Sequence, residues 1–383
     1  MLKKLTVLWV LCSLLLTGCG WMDGSYVHIS RHQEQKPSSQ GGSVTVSGFE
    51  QLQDVMLQMT ENGVRKNVIF LSDYDQILAE NGMKSIRVNM LNNNPLGCYA
   101  LEDIHYEVGT NSGKPAIAVE LIYKHTAAEI RQIRRYSDTE DVIKALGRAL
   151  DDVKASMVML IKNYEELDFV QLVNDYAQDN PQKVMETPQV TQTVYGRGNS
   201  RTVELNFSYE TSRDNLRQMR TQVEPVFEAA KLYVSKGATE YQKYNQLYSF
   251  LMERFEYKIQ PSITPSYSLL HHGVGDSRAF ASIYAAMCRN VGLPCEIITG
   301  TRDGEPWTWN IISGGDYYFH VDLLRCSEQG QFRSVAGADM EGYVWDYSAV
   351  PGAAPDRTVP SPDTTGFIPA ETIAGMKKDE SQK

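Results

Sequence analysis

The chain has 383 residues, of which 42% are hydrophobic and 22% are charged, and its formal net charge is −10 at pH 7. This length allows two or three domains, each with a hydrophobic core of its own. The body of the chain is acidic overall and has no basic stripe. Nucleic acid is therefore excluded as a main partner, because phosphate binding requires clustered Lys and Arg.

The N-terminus has the pattern of a bacterial export signal. Two lysines precede an apolar run over residues 5–16, which is too short to span a membrane. The run ends in the sequence LTGC, which resembles the lipobox of bacterial lipoproteins. This resemblance implies a signal peptide over residues 1–18 and a lipid-modified Cys19 at the start of the mature chain. An ordinary signal peptide that contains a cysteine is the alternative.

Lipidation would place the protein outside the cytoplasm, anchored to the bacterial cell membrane, since two or more acyl chains give firm attachment. Residues 19–45 are rich in Ser, Gly and Gln without an apolar period, which predicts a flexible tether. At the other end, residues 351–383 are rich in Pro, Asp, Thr and Lys, which predicts a disordered tail.

The pattern of residues 46–222 predicts one α+β unit that occurs twice. Apolar strands are predicted at 67–74 and again at 157–164, and the tyrosines that end them are 90 residues apart. A second pair of strands ends at Tyr123 and Tyr209, which are 86 residues apart. This spacing predicts two tandem related units, each in the order helix, strand, helix, strand, strand, helix. Two generic segments that share a pattern by chance are the alternative.

The boundaries of the two units are predicted at 46–135 and 136–222. Thr126 and Ser212 each follow the last strand of a unit and are expected to be helix N-caps. Glu129 lies three residues after Thr126 and predicts a capping box. Neither unit has a Gly-rich phosphate loop, a metal-ligand cluster or a pair of catalytic carboxylates, so we expect no cofactor and no metal.

A helix is predicted after the turn at residues 272–276. Apolar residues recur at helical spacing from Phe280 to Val291, which predicts one buried face. Gly292 should end the helix, and Pro294 cannot continue it. Two aromatic segments follow, Pro306-Trp-Thr-Trp-Asn310 and Tyr317-Tyr-Phe-His-Val-Asp322.

This layout resembles the transglutaminase-like superfamily, whose papain-related fold carries a Cys-His-Asp triad. The resemblance covers roughly the C-terminal third and implies a domain over residues 223–350. The family cysteine begins the helix fifteen residues before its final glycine, and Ser277 occupies that position here. Trp307 occupies the position of the family histidine, and Asp322 alone retains the family residue. The fold class is therefore expected to be α+β, with two tandem units before a transglutaminase-like domain.

The two exchanges predict that the site is not catalytic. A thiolate is favoured at a helix N-terminus beside an imidazole, whereas a serine hydroxyl requires an adjacent base. Trp307 offers an indole N–H and no basic lone pair. Ser277, Trp307 and Asp322 are therefore interpreted as vestigial triad positions. Trp307, Trp309, His272 and His320 are candidates for groove residues that bind a ligand.

We expect the protein to bind a peptide, a cell-wall fragment or an envelope protein at the cell surface. One alternative is an active acyl transferase or hydrolase in which His272 or His320 is the base for Ser277. Another is an assembly scaffold that works through the tandem units. The sequence leaves open whether Cys288, Cys295 and Cys326 include a disulfide.

Overall fold

The computed structural model describes most of the chain, over residues 44–72, 75–314, 317–346 and 348. The predicted signal peptide, Cys19 and the predicted tail lie outside these residues, as does all of the predicted tether except its last two residues. The chain divides into two units, Met1–Val44 and Thr45–Lys383, of which the first lies almost wholly outside the described residues. Within the described ranges, no helix is both long and apolar enough to cross a membrane.

The first part of the second unit is a four-stranded sheet with helices. Its elements are β1 (Val44–Val46), α1 (Phe49–Asn62), β2 (Lys66–Leu71), α2 (Gln76–Asn92), α3 (Pro95–Ala100), β3 (Leu101–Asn111), β4 (Lys114–Tyr123) and α4 (Ala127–Gln132). The strand order is β1-β2-β4-β3, and β4 pairs antiparallel with both β2 and β3. Leu52, Val55 and Met56 of α1 are buried, as their helical spacing predicts.

A second four-stranded sheet follows. Its elements are β5 (Arg134–Tyr136), α5 (Thr139–Asp151), β6 (Ser156–Ile161), α6 (Phe169–Asp179), β7 (Gln189–Tyr195), β8 (Arg201–Ser208) and α7 (Arg213–Tyr233). The strand order is β5-β6-β8-β7. Strand β5 runs parallel to β6, whereas β8 is antiparallel to β6 and β7. Numbered within its own sheet, each set of strands has the order first, second, fourth, third.

Side-chain caps fix the starts of several helices. The predicted capping box at α4 is confirmed, because the Thr126 hydroxyl accepts the Glu129 N–H and the Glu129 carboxylate accepts the Thr126 N–H. The Ser212 hydroxyl caps α7 by accepting the Asn215 N–H. These bonds satisfy N–H groups that a helix leaves unpaired in its first turn.

The C-terminal part has mixed helices and a four-stranded antiparallel sheet. Its elements are α8 (Glu240–Met252), β9 (Glu256–Tyr257), α9 (Pro265–His272), β10 (Val274–Gly275), α10 (Ser277–Asn290), β11 (Cys295–Arg302), β12 (Glu305–Gly314), β13 (Tyr317–Val321), α11 (Leu323–Glu328), a 3-10 turn (Gly337–Asp339) and β14 (Tyr343–Trp345). The strand order is β13-β12-β11-β14, and β9 and β10 form a short parallel pair.

Helix α10 is the centre of this part. The predicted end at Gly292 is confirmed, since this glycine has φ +77° and the Leu293 N–H turns back to the Cys288 carbonyl. The helix is more extensively buried than the single buried face that the sequence predicted, because eleven of its fourteen residues are buried. Alanine and serine occupy positions between the large apolar residues. Their small size allows neighbouring elements to pack against almost the whole circumference.

The core around α10 extends into the preceding part of the chain. Val153 and Met185, which lie next to elements of the second sheet, belong to the same buried cluster as Tyr284 of α10 and Phe319 of β13. Arg289 also joins α10 to α6, since its guanidinium donates to the Asp179 carbonyl and lies 3.6 Å from the carboxylate. Helix α10 therefore contacts both the C-terminal part and the part of the chain that precedes it.

Strand β14 approaches β11 very closely at Gly300. A Cβ atom on this glycine would lie 2.2 Å from the Val344 carbonyl oxygen and 2.9 Å from the Trp309 ring. Only glycine fits where a second backbone comes this close in a sheet. The approach places Tyr343 of β14 beside the residues that follow β13.

The cysteines of the described chain are free thiols. Cys288, Cys295 and Cys326 are buried, whereas Cys98 is partly exposed. Burial raises the pKa of the Cys326 thiol to about 12, so this group stays protonated at neutral pH.

Candidate functional site

The three positions that the resemblance assigns to a triad come from three different elements. Ser277 is the first residue of α10, where the Asp276 carboxylate caps the helix by accepting the Ala279 N–H at 2.8 Å. Trp307 lies on β12, and Asp322 directly follows the neighbouring strand β13. The antiparallel register pairs Asn310 with Val321, which brings the start of β12 close to the end of β13.

The Trp307 side chain is hydrogen-bonded to Asp322. The indole N–H donates to Oδ2 of the carboxylate at 2.8 Å. In a Cys-His-Asp triad this aspartate would orient an imidazole, which then takes the proton of the nucleophile. Here an indole occupies that place, and an indole can donate a proton but cannot accept one.

The remaining hydrogen bonds of Asp322 are structural. Oδ2 also accepts the Tyr343 hydroxyl at 2.6 Å. Oδ1 accepts the backbone N–H groups of Leu324 and Arg325 at 3.0 and 3.2 Å, so the carboxylate is the N-cap of α11. A buried carboxylate requires such partners because it has lost its hydration. All four bonds therefore hold Asp322 in place and leave it no imidazole to orient.

Arg302 supplies the positive charge near this carboxylate. Its guanidinium lies 3.7 Å from Asp322 and 2.6 Å from Glu328. It also covers the Trp307 ring at 5.2 Å from the ring centre. The hydrogen bond to Glu328 raises the pKa of Arg302 above its usual value, so the charge is permanent. The arginine therefore offsets the negative charge of Asp322 and packs on the face of the Trp307 indole.

Ser277 has no base beside it in the described residues. Its hydroxyl oxygen accepts the Thr308 N–H at 3.3 Å, and its side chain is buried. His271 and His272 are exposed on α9, where both rings pack against Tyr267. Neither imidazole is hydrogen-bonded to Ser277. Among the residues that the structure describes, the hydroxyl consequently has no partner that could take its proton.

His320 and Trp309 lie in the core rather than in a groove. The Trp309 indole N–H donates to Nδ1 of His320 at 2.9 Å. The two side chains are 1% and 0% exposed, respectively. An Nδ1 that accepts a hydrogen bond carries no proton, so the ring is in its Nε2–H form. Trp345 packs against both rings and covers them from the side of β14.

Sequence reasoning missed three residues of the site. Tyr343 and Arg302 contact Asp322, but they lie on strands that are far from it in sequence. Asn310 lies in the aromatic segment of β12, and its side-chain amide donates to the Ala281 carbonyl at 2.9 Å and to that of Glu296 at 3.3 Å. This amide joins α10 to the sheet and is fully buried. The sequence signal that could have identified Asn310 is a polar residue between two apolar neighbours, Trp309 and Ile311.

Residues 228–346 match the family model described as the transglutaminase-like superfamily. The C-terminal part of the chain is therefore a transglutaminase-like domain, and the prediction of its fold is confirmed. The match covers less than half of the chain, so it defines this domain alone. A comparison of the whole sequence with curated proteins finds no match.

Three solved structures are distantly similar. A TGase is 11% identical with a TM-score of 0.25, over 56% of this chain and 63% of the other, so the chain spans less than two thirds of that relative. A putative cysteine protease from Cytophaga hutchinsonii is 16% identical with a TM-score of 0.24, over 41% and 70%. A putative protease from Parabacteroides distasonis is 11% identical with a TM-score of 0.21, over 47% and 44%.

Replacing Tyr343 by Phe is expected to reduce the loss of stability at alkaline pH. Burial, followed by the Asp322 charge, raises the pKa of Tyr343 well above its ordinary value of 10.0. The unfolded chain therefore releases this proton at a lower pH than the folded protein does, and the free energy of unfolding falls as pH rises above about 10. Each such group contributes at most about 1.4 kcal/mol per pH unit.

The measurement is the free energy of unfolding of both proteins in urea, at intervals between about pH 9 and pH 11. Tyr343→Phe should be less stable than the wild type at pH 9, because Asp322 loses one donor, by roughly 1–2 kcal/mol. The difference should shrink as pH rises. Parallel curves for the two proteins would show that the phenol is not held in its neutral form.

Proposed function

We propose that the protein is a membrane-anchored pseudoenzyme whose transglutaminase-like domain binds a peptide, a cell-wall fragment or a protein partner at the cell surface. The hydrogen bond from the Trp307 indole to Asp322 carries this proposal. It fills the position of the catalytic imidazole with a group that cannot accept a proton. Binding remains available to such a fold when proton transfer is not.

The surface around Trp307 suits recognition of an extended ligand. The indole is half-buried and packs against the ring of Tyr257 at 5.6 Å, with the Arg302 guanidinium on its face. Aromatic side chains and arginine supply much of the binding energy at protein interfaces. Nearby in sequence, Ile259 and Ile263 are exposed on the loop before α9. In the family this loop borders the groove, and apolar side chains there would add contact area.

Attachment to the membrane would come from lipid on Cys19. The supporting observation is the LTGC sequence after a short apolar run. Full-length protein expressed in a bacterial host should sediment with membranes and incorporate labelled fatty acid. Cys19→Ala should lose the label, whereas Cys98→Ala, a change at a partly exposed thiol of the folded part, should retain it. Equal labelling of Cys19→Ala and wild type would refute a lipid at this residue.

The two parts that precede the domain are proposed to be related α+β units. The supporting observation is the shared strand order of their sheets, with helices at corresponding points along the chain. In this proposal the two units support the C-terminal domain. The second unit packs directly against it, because Val153 and Met185 lie in the same buried cluster as residues of α10.

Reconstruction of the triad tests whether chemistry was lost through residues 277 and 307. Ser277→Cys alone should react slowly with iodoacetamide at neutral pH, because no imidazole stabilises the thiolate. Adding Trp307→His should speed alkylation and move its pH midpoint below the value of about 8.5 for an ordinary cysteine. Ser277→Cys with Trp307→Phe is the matched control, which removes the indole without adding a base.

An equally fast reaction of the single variant would identify another base in the site and contradict the proposal. A fluorophosphonate adduct on Ser277 of the wild type would do the same, since only an activated serine reacts. Such an adduct would favour the alternative of an acyl transferase or hydrolase.

Ligand binding is tested with purified full-length protein and isolated cell-wall material. Trp307→Ala should lower the fraction of protein that sediments with the wall by about tenfold, because a central aromatic contact is worth roughly 1–3 kcal/mol. Leu232→Ala is the control, since this leucine is exposed elsewhere, on α7. Each variant must first show a cooperative unfolding transition. Equal losses for both variants, or none for Trp307→Ala, would remove the groove from the proposal.

A further inference from the structure

A small polar cavity lies beside the first turns of α10. Its volume is about 170 Å³, and it is enclosed by the start of α9, the first turns of α10 and the segment that follows α6. Its polar lining consists of Gln178, Thr187, Ser262, Ser266, Arg278 and Ser282. The Ser277 hydroxyl points elsewhere, toward the backbone of β12. Neither Ser277 nor Trp307 lines the cavity, although Ile263 of the loop before α9 lines it and was also assigned to the border of the groove proposed above.

Two serines that line this cavity are mostly buried, and their hydroxyls have no hydrogen-bond partner within the described part of the chain. Ser266 is 7% exposed and Ser282 is 5% exposed. Neither hydroxyl makes a hydrogen bond to any residue that the structure describes. Hydroxyl groups of mostly buried residues usually make a hydrogen bond, and the surface that these two retain faces the cavity. Both hydroxyls line the cavity, so a group with hydrogen-bonding oxygens would satisfy them from inside it.

The charge of the lining is positive. Arg278 is the one charged side chain around the cavity, and no carboxylate is among the lining residues. Its guanidinium is exposed and makes no ion pair or hydrogen bond within the described part of the chain. An arginine at the first turn of a helix gains nothing from the helix dipole, which is positive there. Its position is explained if it faces an anion.

The N-terminus of α9 adds to this charge. Pro265 and Ser266, the first two residues of this eight-residue helix, line the cavity. The N-cap residue Thr264 makes no side-chain hydrogen bond to the first turn. Pro265 has no N–H and the Ser268 N–H donates to the Thr264 carbonyl, so the Ser266 and Tyr267 N–H groups are the ones that a ligand could use, and the dipole favours an oxyanion there.

From these four groups we infer that the cavity binds the oxyanion of a small ligand, a carboxylate or a phosphate. The guanidinium of Arg278 would pair with the charge, and the hydroxyls of Ser266 and Ser282 would donate to its oxygens. A cavity volume of about 170 Å³ leaves room for the oxyanion and a short attached chain. The ligand would join the segment after α6 to the start of α10.

The test uses purified full-length protein with potassium phosphate or potassium acetate, against potassium chloride at equal ionic strength. Binding to the folded state alone raises the midpoint of thermal unfolding, and a titration followed by NMR gives the affinity. At least one of the two anions should raise the midpoint. A response to acetate alone identifies a carboxylate ligand, and a response to phosphate alone identifies a phosphoryl ligand.

Variants separate the cavity from general charge effects. Arg278→Gln should weaken the affinity by about tenfold or more, because a charge-assisted contact is lost. Arg217→Gln is the matched control, since this exposed arginine on α7 likewise lacks a partner and lies outside the cavity. Ser282→Ala should weaken binding without lowering the midpoint of the anion-free protein, because its hydroxyl has no bond to lose there.

A merely structural role for Ser282 would instead lower that midpoint. The inference is overturned if neither anion stabilises the wild type, or if Arg278→Gln and Arg217→Gln weaken the response equally. The result is independent of the proposed function, because no residue of the Trp307 groove enters the test.

Discussion

The buried carboxylate of Asp322 is the interaction on which the site depends. Through it, one side chain joins Trp307 of β12, Tyr343 of β14 and the first turn of α11. An ionised carboxylate without partners would be far too costly at this depth. Each donor is therefore required by the others, and Arg302 completes the set by offsetting the charge. The geometry around Asp322 is therefore set by the need to supply hydrogen-bond donors to one buried carboxylate.

This arrangement explains why an aspartate at position 322 says little about activity. As the N-cap of α11, the residue stabilises the corner that follows β13 whether or not a triad is present. The serine and the tryptophan at positions 277 and 307 carry the information about chemistry. Of these, Trp307 is decisive, because a serine beside an imidazole could still have been a nucleophile.

The sequence predicted the helix boundaries well, but it predicted poorly which side chains are buried. Residues that begin or end a helix, such as Thr126 and Gly292, are local signals, and the structure has them where expected. On β12 and β13 the sequence identified the aromatic segments that contain Trp307, Trp309 and His320. The periodicity cannot say which residues a later segment covers. Strand β14 covers the second tryptophan and the histidine, and this required the close approach at Gly300.

The contacts of Arg302 and Tyr343 were beyond prediction for the same reason. Each lies at least twenty residues from Asp322, and nothing in the spacing of either indicates a shared partner. Fold recognition succeeded because the helix and the aromatic strand have motifs that do not depend on such contacts. The details of the site are tertiary, and they are decided by which strands become neighbours in the sheet.

The enclosure of α10 limits how this chain can diverge. Since neighbours surround nearly the whole helix, a larger side chain at Ser277 would meet the backbone of β12 at Thr308, to which the hydroxyl already bonds. Serine and cysteine differ there by a single atom and are close in volume. The space available at position 277 therefore limits which residues can replace Ser277, whatever their chemistry. Exchange between serine and cysteine at this position should therefore cost little in folding, whereas any change of chemistry also depends on the residue at position 307.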